Sequence, residues 1–208
     1  MPVIVVANPK GGVGKSTLST NIAGWLARQG RTVALGDLDR QQSSRQWLDI
    51  RPPQLPVIRP WDITPHDVAR PPAGTTDMII DTPAGLKGQR LDAVMRVANV
   101  VVVPLQPSLF DMQATHHFLG ELREHRRALQ VQVGLVAMRV KDHTQSQERL
   151  HEFVAGLGVP LVASLRDTQN YVHLAAHGLT LFDVAPGRVE RDLAQFQPLT
   201  AWLAGAMA

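Results

Sequence analysis

The chain has no cysteine. Disulfides, thiolate catalysis and iron–sulfur ligation are therefore excluded, and a reducing cytoplasm is the expected setting. It also lacks any apolar run approaching the ~20 residues that a membrane-spanning helix needs. Its N-terminus passes at once into an apolar strand pattern, so no signal peptide is expected. A strong charge surplus is missing too. The net charge of +3 favours contact with polyanions over repulsion, but alone it decides nothing. The eight histidines are scattered and lack ligand-like spacing with carboxylates, so no transition-metal site is expected. With 208 residues and 44% hydrophobic content, the chain has the size and core of one domain, 1–208.

What is present begins at Val3-Ile4-Val5-Val6-Ala7, an apolar run that reads as a buried strand. It leads into Asn8-Pro9-Lys10-Gly11-Gly12-Val13-Gly14-Lys15-Ser16-Thr17, and then into a helical pattern over Leu18 to Gln29. Strand, glycine loop and helix opening on Lys-Ser-Thr form the layout of a phosphate-binding loop. The glycines let the backbone curl so that several N–H groups face one anion. The helix start adds its free amides and its dipole. Lys15 brings a point charge for the outer phosphates, and the Ser16 hydroxyl suits Mg²⁺.

Two further apolar strands end in carboxylates. Thr32 to Gly36 runs into Asp37-Leu38-Asp39, and Asp77-Met78-Ile79-Ile80 delivers Asp81. Acidic groups at the carboxyl ends of parallel strands lie where open α/β sheets bind ligands. There Asp81 can hold Mg²⁺, often through water. Asp39 or Ser43 also has the chemistry of a helix N-cap.

The remaining pattern continues the alternation of strands and helices. Helices are expected over 43–50, 89–98, 108–129 and 145–157, and strands at 57–58, 100–104, 131–140 and 161–163. A closing helix over 188–207 carries one broad apolar face interrupted by Pro198. Arg51 to Pro72 is proline-rich and is expected to be irregular connection. The fold class is therefore α/β, a mostly parallel central sheet with helices on both faces. Arg123, His125, Arg126 and Arg127 crowd the end of one helix. Such a run is either a solvated face or a patch for DNA phosphates.

K-G-G-V-G-K-S resembles the deviant Walker A loop of the ParA/MinD family of P-loop ATPases. The resemblance extends over essentially the whole chain. Pro9 stands where the common loop has glycine, and Lys10 matches the family's signature lysine. The resemblance implies that Lys10 reaches across a sandwich homodimer to the partner's ATP. Gly11, Gly12, Val13, Gly14, Lys15, Ser16 and Thr17 would hold the phosphates. Asp37 to Gln41 is similar to the family's D-x-D-P-Q, with Arg40 in place of proline. By that match Asp39 orients the attacking water near Mg²⁺, and Asp37 supports it. I-I-D-T-P-A-G, ending at Gly85, resembles the Walker B segment. It makes Asp81 a third metal-site residue beside Ser16 and Asp39, and Pro83, Ala84 and Gly85 a nucleotide-sensing switch.

Pro107-Ser108 resembles the opening of a helix near the family's dimer interface. Met138 and Ser164 fall where relatives hold adenine, and Arg166 falls where they bind DNA without sequence preference, or else is an interface or structural arginine. Residues 175–183 match the late A-x-x-G-x-t-x-f motif. The small ParA type, without an N-terminal DNA-reading extension, is the expected subgroup. The implied activity is that of a partition ATPase, nucleoid-associated in the cytoplasm and using ATP and Mg²⁺. A ParB-like or other cargo adaptor would stimulate hydrolysis and so release DNA. Two alternatives differ in class. One is a MinD-like regulator at a membrane surface, although Leu199 to Ala208 offers no lysine or arginine for lipid. The other is a metabolic P-loop ligase or kinase.

Overall fold

The computed structural model describes residues 1–64 and 70–207. Seven strands form one parallel sheet: β1 Val3–Val6, β2 Val33–Asp37, β3 Ile58–Trp61, β4 Asp77–Asp81, β5 Val100–Leu105, β6 Gln132–Val140 and β7 Leu161–Arg166. Their order is β3-β2-β4-β1-β5-β6-β7. The strand that feeds the glycine loop thus lies near the middle, with β4 on one side and β5 on the other.

The helices are α1 Lys15–Arg28, α2 Ser43–Asp49, α3 Gln89–Val97, α4 Leu109–Glu124, α5 Gln145–Ala155, α6 Asn170–Ala175 and α7 Glu190–Ala206. They divide between the two faces of the sheet. Val3, Val5, Met78, Ile80, Val101 and Val103 pack on one side with α3, α4 and α5. Ile4, Val6, Ile79, Val100 and Val102 pack on the other with α1, α2 and α7. This alternation explains why the central strands are apolar throughout, since a parallel sheet covered on both faces has no wet side.

Several boundaries differ from the sequence reading. Helix α1 starts at Lys15 rather than Leu18. Its N-cap is Gly14, at φ 104, so Lys15, Ser16 and Thr17 form the first turn. Strand β3 runs through Pro60, which is tolerated because β3 is an edge strand paired only with β2. Helix α4 stops at Glu124, short of the expected 129. There the chain turns outward, and the Arg127 guanidinium donates to the carbonyls of Met95 and Arg96. Those bonds tie the segment to α3 and pull it off the helical path. Strand β7 extends to Arg166, beyond the expected Ala163, by pairing with β6 across a register shift. Helix α7 is not interrupted by Pro198 but passes through it. Phe196, Leu199 and Leu203 are buried on the sheet, and that burial outweighs one lost hydrogen bond. Of the proline-rich stretch, residues 65–69, including Pro65, lie outside the described residues.

Candidate functional site

The glycine loop emerges from β1, and neighbouring elements hold it on each side. Asn8 is fully buried, and its Oδ1 accepts the Lys10 N–H at 2.8 Å. Gln106, after β5, donates to the Gly12 carbonyl at 3.0 Å. From the β4 side, the Gly85 N–H donates to the Pro9 carbonyl at 2.8 Å. Gly85 has φ 69, a conformation open to glycine and strained for most other residues. Gly14 admits no side chain for a second reason: a Cβ there would lie 2.7 Å from the Met138 methyl.

Lys15 is 7% exposed, and its ammonium donates to the Lys10 carbonyl at 2.7 Å. Burial lowers its pKa, while Asp81 and Asp39 pull it back up. No side chain caps α1, so its first-turn amides remain free for an anion. Among the described residues the Lys10 ammonium has no hydrogen-bond or ion-pair partner, and Lys10 is only partly exposed.

The three aspartates have distinct environments. Asp81 is 1% exposed, and burial pushes its pKa up to about 6 against the pull of the Ser16 and Ser44 hydroxyls. Its Oδ2 accepts from the Ser44 hydroxyl at 2.5 Å, whereas its Oδ1 has no hydrogen-bond partner. Asp37 accepts the Asp39 N–H at 2.9 Å and the Ser44 N–H at 2.8 Å. The cap on α2 therefore comes from Asp37, at the end of β2, and not from Asp39 or Ser43. Burial raises the Asp37 pKa, and these amides oppose the rise. Asp39 is half-buried and accepts the Gln41 N–H at 3.0 Å. Gln42, at φ 52, donates to the carbonyls of Asp37 and Asp39 and fixes the path that Arg40 would otherwise loosen.

The oxygen donors fit Mg²⁺. An orphaned carboxylate oxygen on Asp81 stands near a serine hydroxyl, and both are hard ligands. Among the described residues no group of three histidine, cysteine, aspartate or glutamate side chains could cage an ion. The protein thus offers few ligands and leaves the others to phosphate and water, as Mg²⁺ sites commonly do.

The model for the CobQ/CobB/MinD/ParA nucleotide binding domain, CbiA, matches residues 4–181. The chain belongs to this family. Among curated CbiA relatives, "Maintenance of carboxysome distribution protein A" of Halothiobacillus neapolitanus is 27% identical over 197 residues, 91% of each chain. "Chromosome-partitioning ATPase Soj" of Thermus thermophilus is 29% identical over 169 residues, 66% of this chain and 68% of that one. A putative plasmid partition protein from Borrelia burgdorferi, solved bound to AMPPNP, has the same fold with a TM-score of 0.72 at 15% identity. It covers 96% of this chain and 98% of that one.

The fold brings Lys10 to Thr17, Asp39, Asp81 and Pro83 to Gly85 to one edge of the CbiA sheet, around β1, β2 and β4. Met138 packs beneath Gly14, while Ser164 lies one strand further out, opposite Ala137. The basic residues are not brought together. Arg126 lines an open groove of about 800 Å³ between α3 and α4, beside Lys87 and Arg96 but also Asp92, Glu121 and Glu124. Arg127 is taken up by local carbonyls and the Gln130 side chain. Arg166 lies at the carboxyl end of β7, the last strand of the sheet on the β6 side. Its Nε donates to Asp192 at 2.5 Å, and Asp192 is fully buried. No helix among the described residues is long and apolar enough to cross a membrane.

Sequence reasoning gave no role to Asn8, Gln42, Ser44, Thr82 or Gln106. Each acts through a polar side chain on a backbone or carboxylate group, and in four of them that group is distant in sequence or across the loop. Their one visible signal was polarity at the end of an apolar strand. The late motif also proves structural. Thr180 and Asp183 cap one another, and Asp183 forms a buried ion pair with Arg51 at 2.8 Å.

Proposed function

We propose that this chain is a ParA-type positioning ATPase. It closes as a homodimer over ATP, binds DNA without sequence preference, and lets go on hydrolysis. The observation that carries the reading is the Lys10–Lys15 arrangement. One ammonium is docked on the carbonyl of the other lysine's residue, beside a carboxylate with a free oxygen. A triphosphate offers Lys15 a stronger acceptor than that carbonyl, so Lys15 transfers to the outer phosphates. The first-turn amides of α1 then hold the anion. Lys10, free of local partners, is available to the nucleotide of the second subunit. Asp39 orients the attacking water. Ser16 and Asp81 would hold Mg²⁺, which when bound would neutralise charge on the phosphoryl oxygens. Gly85 gives up its bond to Pro9 when the 83–85 segment turns toward the γ-phosphate. Met138 and Ser164 flank the space for the base.

Arg126, Arg127 and Arg166 are the basic residues assigned to DNA, with Arg126 the least committed to local partners. The 91% mutual coverage with a carboxysome-distribution protein supports a protein assembly as cargo, tethered by an adaptor that stimulates hydrolysis. The deciding experiment measures retention on non-specific DNA with ATP, ADP or no nucleotide. Retention with ATP alone is the expected result. Retention independent of nucleotide, or absent throughout, rejects the DNA half of the reading.

A further inference from the structure

We propose that Asn8 is a positioning residue for the phosphate loop and that Thr115, on α4, is the group that holds it in place. The inference rests on the nucleotide reading above and adds a residue pair to it.

The Asn8 side chain is 0% exposed, yet all of its hydrogen-bonding groups are used in this arrangement. Oδ1 accepts the Lys10 N–H at 2.8 Å. Nδ2 donates to the Pro104 carbonyl at 2.8 Å and to the Thr115 hydroxyl at 3.0 Å. The partners fix the orientation of the amide, since an N–H faces one end and a carbonyl faces the other. Three elements therefore meet on one carboxamide: the loop after β1, the end of β5, and the second turn of α4. Thr115 is also 0% exposed.

The connection matters because of what Lys10 does with its backbone. Its N–H is held by Asn8, and its carbonyl receives the Lys15 ammonium at 2.7 Å. Asn8 thus fixes one side of the residue that bears the Lys10 ammonium and on whose carbonyl Lys15 rests. A buried amide that loses one acceptor leaves an N–H unsatisfied, which costs about 1–3 kcal/mol and favours reorientation. Reorientation would release the Lys10 N–H. A loop that is loose by ~1 Å still binds phosphate through its amides but misplaces its cations, and such misplacement is felt in turnover.

The test uses the full chain and the isosteric change Thr115→Val, with Thr115→Ser as the conservative control. Hydrogen exchange is followed at the Lys10 amide in the nucleotide-free protein. The ATP kcat and KM are measured in parallel. The expected result for Thr115→Val is exchange at Lys10 at least about tenfold faster and a roughly tenfold lower kcat. KM stays within about threefold, and Thr115→Ser restores both exchange and kcat. If Thr115→Val does not fold, Thr115→Ala replaces it. Unchanged exchange at Lys10, or kcat and KM damaged together with no rescue by serine, overturns the proposal. A wild-type chain that binds no ATP overturns the nucleotide reading instead, and the exchange result distinguishes the two failures.

Discussion

Lys10 and Lys15 differ in surroundings more than their shared chemistry suggests. Lys15 is buried against a carbonyl and two carboxylates, whereas Lys10 has its backbone fixed and its ammonium uncommitted. Lys10→Ala should therefore leave folding intact. It should lower ATP turnover by about a hundredfold, as loss of a transition-state cation commonly does. Asp39→Ala should lower turnover comparably. Both are read by phosphate release with the stimulating partner present, and wild-type rates in both would remove the assignments.

Asp81 supports a different kind of prediction. Its folded pKa of about 6 lies above the ordinary carboxylate value of 3.8, so the folded state binds the proton more tightly. Stability contributed by that proton is full at low pH and is lost as pH rises from about 4 through 6. Asp81→Asn should thus be more stable than wild type at pH 7.5 in the absence of Mg²⁺. The gain is up to about 3 kcal/mol at ~1.4 kcal/mol per pH unit. The gap should close as pH falls toward 4, and Mg²⁺ should stabilise only the wild type. Thermal unfolding across pH checks both statements. These lysines and aspartates were legible in the sequence because loop spacing and strand ends declare them. Ser44 and Asn8 were not, because their partners lie 37 and 107 residues away in the chain.

Among the elements, β7 and α7 show how an expected binding residue is also bonded into the frame, as the structural alternative for Arg166 had it. Arg166 and Asn170 both bond to buried Asp192, and the Arg166 N–H is held by Gln195. Arg166→Ala leaves a buried carboxylate short of its cation. The cost should be about 2 kcal/mol, less than for a fully buried pair because the guanidinium is 28% exposed. Differential scanning calorimetry should show a lowered midpoint, partly recovered in Arg166→Ala with Asp192→Ala. DNA retention by Arg166→Ala is interpretable only beside that measurement. Helix α6 was not among the expected elements, but existence and type of most others followed from apolar periodicity. Their ends did not, because Arg127 on the carbonyls of α3 and the register shift in β7 are tertiary effects that no local pattern carries.

For the whole molecule, the fold class was readable from alternating strands and helices, but the strand order was not. Placing β1 between β4 and β5 depends on which faces the helices cover, and that is decided by packing across the sheet. At this scale the DNA reading predicts a steep loss of retention with salt, because phosphate contacts release counterions. A slope of log affinity against log salt near zero would exclude phosphate contact.

The central strand has a consequence for timing. Pro9 is gripped from the β4 side by Gly85, and Gly12 from the β5 side by Gln106. A movement that frees one grip must pull against the other through the two intervening residues, Lys10 and Gly11. The two flanks of the sheet are therefore coupled through the loop. Thr115 joins α4 to the same loop through Asn8, so a contact at α4 is expected to be felt on the β4 side as well.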